Sequence, residues 1–318
     1  MRAVVLVGGH GTRLRPLTND VPKAMLPIGG VPMIERMVSH LAGHGITEVV
    51  LSMGFLPDAF AEGYPDGTCA GIPLHYAVES EPLDTAGAIA FAATHAGIDA
   101  DSHDSFLVQN GDVLTNLDID ALVAAHLTVG AEGTIALTAV DDPSRYGVVT
   151  TDSSGKVLGF VEKPAPGQAP TNLVNAGTYV LEPSVLGRIP VGVRVAVERQ
   201  VFPAMAADGT LYAHATEASW IDAGTPATYL QANLETLADP TSSVVDESAQ
   251  VAPGAAVERS VVLAGASIGE NAVVKDSIIG SGAIVGASAH VAAHCVLGAG
   301  AVVADGESLT GQCRPEVA

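Results

Sequence analysis

The chain has 318 residues, 48% of them hydrophobic and 15% charged, which places it among globular proteins long enough for two domains and away from disordered chains. Its formal net charge of −21 argues against nucleic acid and anionic membranes as partners, while leaving room for a small anionic substrate. No apolar run approaches the roughly 20 residues that span a bilayer. Met1-Arg2 leads directly into a strand with no signal-peptide pattern, and Cys69, Cys295 and Cys313 show no metal-ligand spacing, so reduced thiols in a cytoplasmic protein are expected.

Val4-Val5-Leu6-Val7 reads as a buried strand. It runs into Gly8-Gly9-His10-Gly11-Thr12-Arg13-Leu14-Arg15-Pro16-Leu17-Thr18, followed by Pro22-Lys23-Ala24-Met25-Leu26-Pro27. A strand ending in a glycine-rich turn offers backbone N–H groups to phosphate, and Arg13 and Lys23 add positive charge beside it. The spacing is neither the G-x-G-x-x-G of dinucleotide folds nor the G-K-[ST] of a P-loop. Only four lysines occur, and two of them, Lys23 and Lys163, fall in the motifs discussed here.

Apolar spacing predicts a helix over 33–44, strands over 48–52 and 74–78, an alanine-rich helix over 85–96, and a strand over 106–108 ending at Asn110-Gly111-Asp112. This alternation argues an α/β fold: a Rossmann-like, mostly parallel mixed sheet with helices on both faces. Ligands then sit at the carboxyl ends of strands, where the Gly8 turn and Asp112 fall. From 134 to 180 the pattern turns β-rich, with strands over 134–140, 147–151, 157–162 and 174–180. This sub-region is suited to closing over a second substrate. A short helix over 198–207, a strand over 210–214 and a helix over 226–238 complete a domain of residues 1–238, and Ala238-Asp239-Pro240-Thr241-Ser242-Ser243 reads as a linker.

Residues 244–310 are a repeat. Val245, Val251, Val257, Leu263, Ile268, Val274, Ile279, Val285, Val291, Leu297 and Val303 recur at steps of six, with two steps of five. Small residues mostly follow four positions later, among them Ala249, Ala255, Ser267 and Ala272. This resembles the hexapeptide repeat of a short left-handed parallel β-helix of about three to four coils. The aliphatic residues would fill its interior and the small ones its corners.

The string G-G-x-G-T-R-L-x-P-L-T followed by P-K-x-x-x-P resembles the sugar nucleotidyltransferase (NDP-sugar pyrophosphorylase) family, and within it the mannose-1-phosphate guanylyltransferase branch most. The resemblance covers residues 1 to about 305. It implies transfer of a nucleotidyl group from an NTP to a sugar 1-phosphate with release of pyrophosphate, assisted by Mg²⁺. GTP and mannose 1-phosphate are the favoured pair. ATP or dTTP with glucose 1-phosphate, or a heptose or cyclitol phosphate, would leave the same motifs intact.

Carried onto this chain, the resemblance implies a metal at Asp112 and Asp222, the second in Trp220-Ile221-Asp222-Ala223-Gly224-Thr225-Pro226. Arg13, Lys23 and Lys163 become the catalytic cations. The nucleotide falls to Leu6, Gly8, Gly9, Gly11, Thr12, Arg13, Lys23, Glu81, Asp84, Gly87, Asn110 and Gly111. The sugar phosphate falls to Tyr146, Gly147, Glu162, Lys163, Asn175 and Trp220. The stretch around Glu198 is assigned to structure. Asp84 stands where the family usually has glycine. It reads as an N-cap for the helix beginning near Thr85, although a carboxylate there could also accept from guanine N1–H and N2–H₂. Ala24 and Val7 are milder departures, for proline and alanine.

Two other classes were weighed. A hexapeptide acyltransferase would use a coil-edge histidine such as His290 or His294, but neither has a partner motif, and His290 also reads as an outward-facing turn residue. A non-catalytic subunit would be expected to lack a motif charge, yet Arg13, Lys23, Asp112, Lys163 and Asp222 are all present. A homo-oligomer is expected, formed through the β-helix or the catalytic domain.

Overall fold

The structure is a computed structural model and describes residues 1–316. It forms two compact units. The first joins Met1–Gly9 to Ile34–Trp220, and the second joins His10–Met33 to the chain from Ile221 onward.

The first unit is built on a ten-stranded sheet. Its strands are β1 (Arg2–Leu6), β2 (Glu48–Met53), β3 (Thr68–Cys69), β4 (Ile72–Val78), β5 (Phe106–Asn110), β6 (Gly133–Ala139), β7 (Gly147–Thr151), β8 (Val157–Glu162), β9 (Leu173–Leu181) and β10 (Leu211–Ala215). Along the main path the order is β8-β7-β9-β5-β1-β2-β4-β3, with β6 paired to β9 and β10. β1 runs parallel to β2 and β5, in the register Leu6 to Ser52 and Leu6 to Asn110, so the turns that follow these strands share one edge. β9 enters antiparallel to β5 and carries a register shift between Asn175 and Tyr179.

Helices α1 (Met33–Gly43), α2 (Asp58–Gly63), α3 (Asp84–His95), α4 (Ile119–Val129) and α5 (Phe202–Asp208) accompany the sheet. Ala86, Ile89, Ala92 and Ala93 of α3 pack with Val4, Val50, Ala77, Val108 and Tyr179, joined by Phe202 and Met205 of α5. The alternate strand positions Val5, Leu51 and Leu107 are equally buried, as expected of a sheet covered on both faces.

The expected order of elements is present, with three additions that the apolar spacing does not predict, α2, β3 and α4. α2 is short, but α4 carries a legible signature: Asp118 caps it by accepting the Ala121 N–H at 2.9 Å, and Gly130 ends it in the left-handed region. The helix expected over 198–207 divides into a π-helical turn, Val197–Val201, and α5.

The second unit contains α6 (Pro226–Leu234), opened by a capping box of Thr225 and Thr228. α6 stops short of residue 238 because the N–H groups of Thr236 and Leu237 tighten to carbonyls three residues back. It anchors the 10–33 segment: Tyr229 donates to the Pro27 carbonyl at 2.6 Å, and Gly29 N–H donates to Asn233 Oδ1 at 2.9 Å. The rest is a parallel β-helix of three sheets with five, four and four strands. Four full coils therefore form and a fifth begins, slightly more than expected.

Val245 and Val251, expected inside, are 41% and 43% exposed because the first coil has no coil stacked beneath it. The register also shifts at one place: the ladder runs Val245, Val262, Ile279, Leu297, so Val262 rather than Leu263 points inward, and Ala266 rather than Ser267 fills the corner. The five-residue step precedes position 262 instead of following 263. Sequence spacing tolerates either placement, whereas strand pairing permits one.

Candidate active site

In the first unit, Gly111 sets the approach of β5 to β1. Its N–H donates to the Leu6 carbonyl at 2.9 Å, and a Cβ there would lie 2.5 Å from Val7 Cγ1 and 2.6 Å from the Leu6 oxygen. Any side chain would push the two strand ends apart, which explains glycine immediately before Asp112. Asn110 lies against Gly177, where a Cβ would stand 2.7 Å from Asn110 Nδ2.

The residues expected at the sugar phosphate converge from three places. Gly147 pairs with Glu162 across the β7–β8 hairpin, and a Cβ on Gly147 would lie 2.6 Å from the Phe160 ring and 2.9 Å from Glu162 Oε2. The ring that glycine admits here is thus Phe160. Lys163 leaves the hairpin at φ +48°, donates its N–H to the Tyr146 carbonyl at 3.0 Å, and holds its ammonium 2.9 Å from Glu162 Oε1. Lysine in this region is strained, a state that persists where surrounding structure enforces it, often at functional sites. Tyr146 meets Trp220 edge to face at 5.3 Å, and the Trp220 indole donates to the Ala176 carbonyl at 2.8 Å.

Asn175 shapes the backbone beside these groups. Its amide donates to Tyr179 Oη and its oxygen accepts the Gly177 N–H, both at 2.9 Å, across the register shift in β9. Tyr179 is fully buried. Burial raises its phenol far above the usual range, and the charges of Glu198, Glu162 and Asp112 add to this against the Asn175 bond. Three carboxylates from different elements are therefore near one buried ring.

The segment Glu81-Pro82-Leu83-Asp84-Thr85-Ala86-Gly87 follows β4 at the same sheet edge. Glu79, which sequence reading passed over, braces it: Oε2 accepts the Leu83 N–H at 2.9 Å and Oε1 accepts the Ser52 hydroxyl at 2.8 Å. Asp84 does not cap α3 as expected. It is the first residue of the helix, at φ +60°, and its Oδ1 accepts only from the adjacent Thr85 N–H at 2.9 Å among the bonds described. The N–H groups of Ala86 and Gly87 turn instead to the Val195 carbonyl, which takes over the cap. Arg194 Nε stands 3.6 Å from Asp84 Oδ2.

In the second unit, Gly11 adopts φ +60° and its carbonyl accepts the Thr18 hydroxyl at 2.8 Å, closing the turn that carries the short helix Thr12–Leu14. A second short helix, Lys23–Met25, presents Lys23. Lys23 Nζ lies 3.7 Å from Asp222 Oδ1. A Cβ on Gly224 would be 2.6 Å from that same oxygen and 2.8 Å from an Arg13 guanidinium nitrogen, so Arg13 and Asp222 both crowd Gly224. Three residues from separate motifs thus meet within this unit.

Asp112 and Asp222 offer the hard oxygen donors that suit Mg²⁺. A cluster outside the motifs, His44 with Asp118 and Asp120, also places three ligand atoms within 4.8 Å. Its groups have structural partners: Asp118 caps α4, and His44 Nδ1 is 3.0 Å from Asp120 Oδ2. His290 and His294 are exposed on the β-helix, but His290 opens the strand His290–Ala292 instead of standing in a turn as expected, because it pairs in register with Val273 and Ser308 of the neighbouring coils. No helix among the described residues is long and apolar enough to cross a membrane.

The sequence profile of the nucleotidyl transferase family matches residues 2–239, and that of the GMPPB C-terminal domain matches residues 236–313. A mannose-1-phosphate guanylyltransferase of Mycobacterium tuberculosis is 39% identical over 265 residues, covering 80% of this chain and 72% of that protein. A mannose-1-phosphate guanyltransferase of Schizosaccharomyces pombe is 41% identical over 233 residues, covering 72% of this chain but 62% of the relative. Among solved structures, HddC from Yersinia pseudotuberculosis complexed with GMP-PN matches with a TM-score of 0.63 at 30% identity, over 74% of this chain and 99% of that one.

Proposed function

The chain belongs to the nucleotidyl transferase family, and on that premise we propose that it transfers guanylyl from GTP to mannose 1-phosphate, releasing pyrophosphate. The observation that carries the reading is the meeting of Arg13, Lys23 and Asp222 about Gly224, two cations and a carboxylate drawn from separate motifs. The names of the mycobacterial and yeast relatives and the guanine nucleotide in the Yersinia structure support this pair over adenine or thymine nucleotides.

In this reading a phosphate oxygen of the sugar 1-phosphate attacks the α-phosphorus of GTP, and the bond to pyrophosphate breaks. The barrier is charge repulsion and misalignment, so the protein acts by positioning and electrostatics. Arg13 and Lys23 neutralise the departing pyrophosphate. The turn of Gly8, Gly9, Gly11 and Thr12, with Leu6, Asn110 and Gly111, holds the nucleotide, whose base is read by Glu81, Asp84 and Gly87. Lys163 steadies the attacking phosphate, and Glu162 accepts from sugar hydroxyls in a pocket bounded by Tyr146, Gly147, Asn175 and Trp220. Asp112 and Asp222 would hold Mg²⁺, which supplies charge neutralisation on the phosphates. Cys69, Cys295 and Cys313 are free thiols, in keeping with a cytoplasmic setting. The open coil ends of a β-helix would serve a homo-oligomer.

The test is pyrophosphate release with Mg²⁺ across four NTPs and a panel of sugar 1-phosphates. Release confined to GTP with mannose 1-phosphate is expected. Release with another pair replaces the substrates and keeps the reaction, and absence of NTP binding overturns the reading.

A further inference from the structure

We propose that Thr85 and Glu198 are positioning residues for the nucleotide, tying residues 195–198 across the first turn of α3 so that Glu81, Asp84 and Gly87 are held in place. The proposal rests on the reading above, which puts the base at this segment.

The first N–H groups of a helix need outside partners. In α3 those partners come from a stretch more than a hundred residues away in sequence. Val195 N–H donates to the Leu83 carbonyl at 3.0 Å, and the Val195 carbonyl accepts from Ala86 at 2.8 Å and Gly87 at 3.2 Å. The Thr85 side chain joins the two strands of this strap. Its hydroxyl donates to Glu198 Oε2 at 2.7 Å, and the Thr85 Oγ1 itself accepts the Val197 N–H at 2.8 Å. The contact is tight: a Cβ on Gly87 would lie 2.9 Å from the Val193 carbonyl.

Glu198 stands in the π-helical turn Val197–Val201, a rare form met mostly at functional sites. Its surroundings disfavour a charge. Burial raises its carboxyl, and Glu162 and Asp84 push the same way against the Thr85 bond. A carboxylate kept among others, away from water, is costly. Here it is placed between the segment assigned to the base and the Glu162 side of the site, where a fixed strap controls how the base loop is presented.

The test compares Thr85→Val, which keeps the shape and removes the hydroxyl, with Thr85→Ser, which restores it, and Glu198→Gln, which keeps an acceptor. Calorimetric GTP binding, the KM for each substrate and Tm are measured for each. Thr85→Val should weaken GTP binding about tenfold while the KM for mannose 1-phosphate stays within about twofold, and Thr85→Ser and Glu198→Gln should each bind GTP nearly as the wild type does. If Thr85→Val does not fold, Glu198→Ala is expected to show the same selective loss. Unchanged GTP affinity, or a fall in Tm with no selective effect on nucleotide, overturns the proposal. Because calorimetry reads GTP alone, wild-type protein that binds GTP but transfers to no sugar phosphate would end the reaction reading and leave this one measured. Wild-type protein that binds no GTP ends both.

Discussion

The Lys23 ammonium stands 3.7 Å from Oδ1 of Asp222, with the two side chains only 12% and 20% exposed. Charges this sheltered interact more strongly than surface pairs. In the proposed reading, the carboxylate that would hold a metal and the cation that would hold phosphate are thus already paired with one another. Arg13, beside the same Gly224 Cβ position as Asp222, leaves the group with a net positive charge suited to phosphate.

Gly224→Ala should therefore damage catalysis more than folding. The added methyl would meet the movable ends of Asp222 and Arg13, not backbone, so both would be displaced at small structural cost. A fall in kcat of about 100-fold with Tm within a few degrees of wild type is expected. Steady-state kinetics beside thermal unfolding checks it, and kcat near wild type would remove the functional reading of this contact.

Asp112→Ala should abolish Mg²⁺-dependent turnover and leave the fold intact, because Gly111 and not Asp112 makes the backbone contact to β1. Near-normal pyrophosphate release by a folded variant would sink the metal assignment.

Lys163→Ala should raise the KM for sugar phosphate while leaving that for NTP nearly unchanged. The loss of a charge-assisted contact is worth about tenfold or more. Separate titrations of the two substrates decide it, and an unaltered sugar-phosphate KM counts against the role. The variant keeps the left-handed backbone at this position, so the effect reads the side chain rather than the strain.

A stability prediction comes from the Glu132–Arg188 pair. Arg188 Nη2 lies 2.7 Å from Glu132 Oε2, and Nε reaches both carboxylate oxygens at 3.0 and 3.1 Å. Burial alone would raise the Glu132 carboxyl, but bonds from Arg188, Thr210 and Ser184 outweigh it and hold it below its usual value. A lowered folded-state pKa means stability present above the unfolded value, about 4.3, and lost as pH falls through the folded one. Arg188→Met should cost about 2 kcal/mol at pH 7, with the gap from wild type narrowing below pH 4. Urea unfolding at both pH values tests it, and a gap that does not narrow would show that the ion pair is not its source.

Much of this protein was legible in the sequence because it is written locally. The bounds of β7 and β8 follow from alternation within a few residues, the glycine-rich turn after β1 from a contiguous string, and the β-helix from a repeat that recurs in the same chain. The helix α4 is also written locally, through its Asp118 cap and Gly130 end. Other features depend on partners that local pattern does not name. Val262 rather than Leu263 faces the coil interior because strand pairing to Val245 and Ile279 admits one register. Asp84 loses the cap of α3 because a carbonyl from Val195 reaches the first turn before its side chain does. Residues 10–33 join the C-terminal unit because Pro27 and Gly29 find their hydrogen-bond partners in α6, some two hundred positions on. Periodicity and motif strings report which face of an element is apolar and which side chains carry charge. Which distant donors and acceptors satisfy one another is settled only when the chain is compact, since buried polar groups must be paired and the pairing is not encoded in spacing.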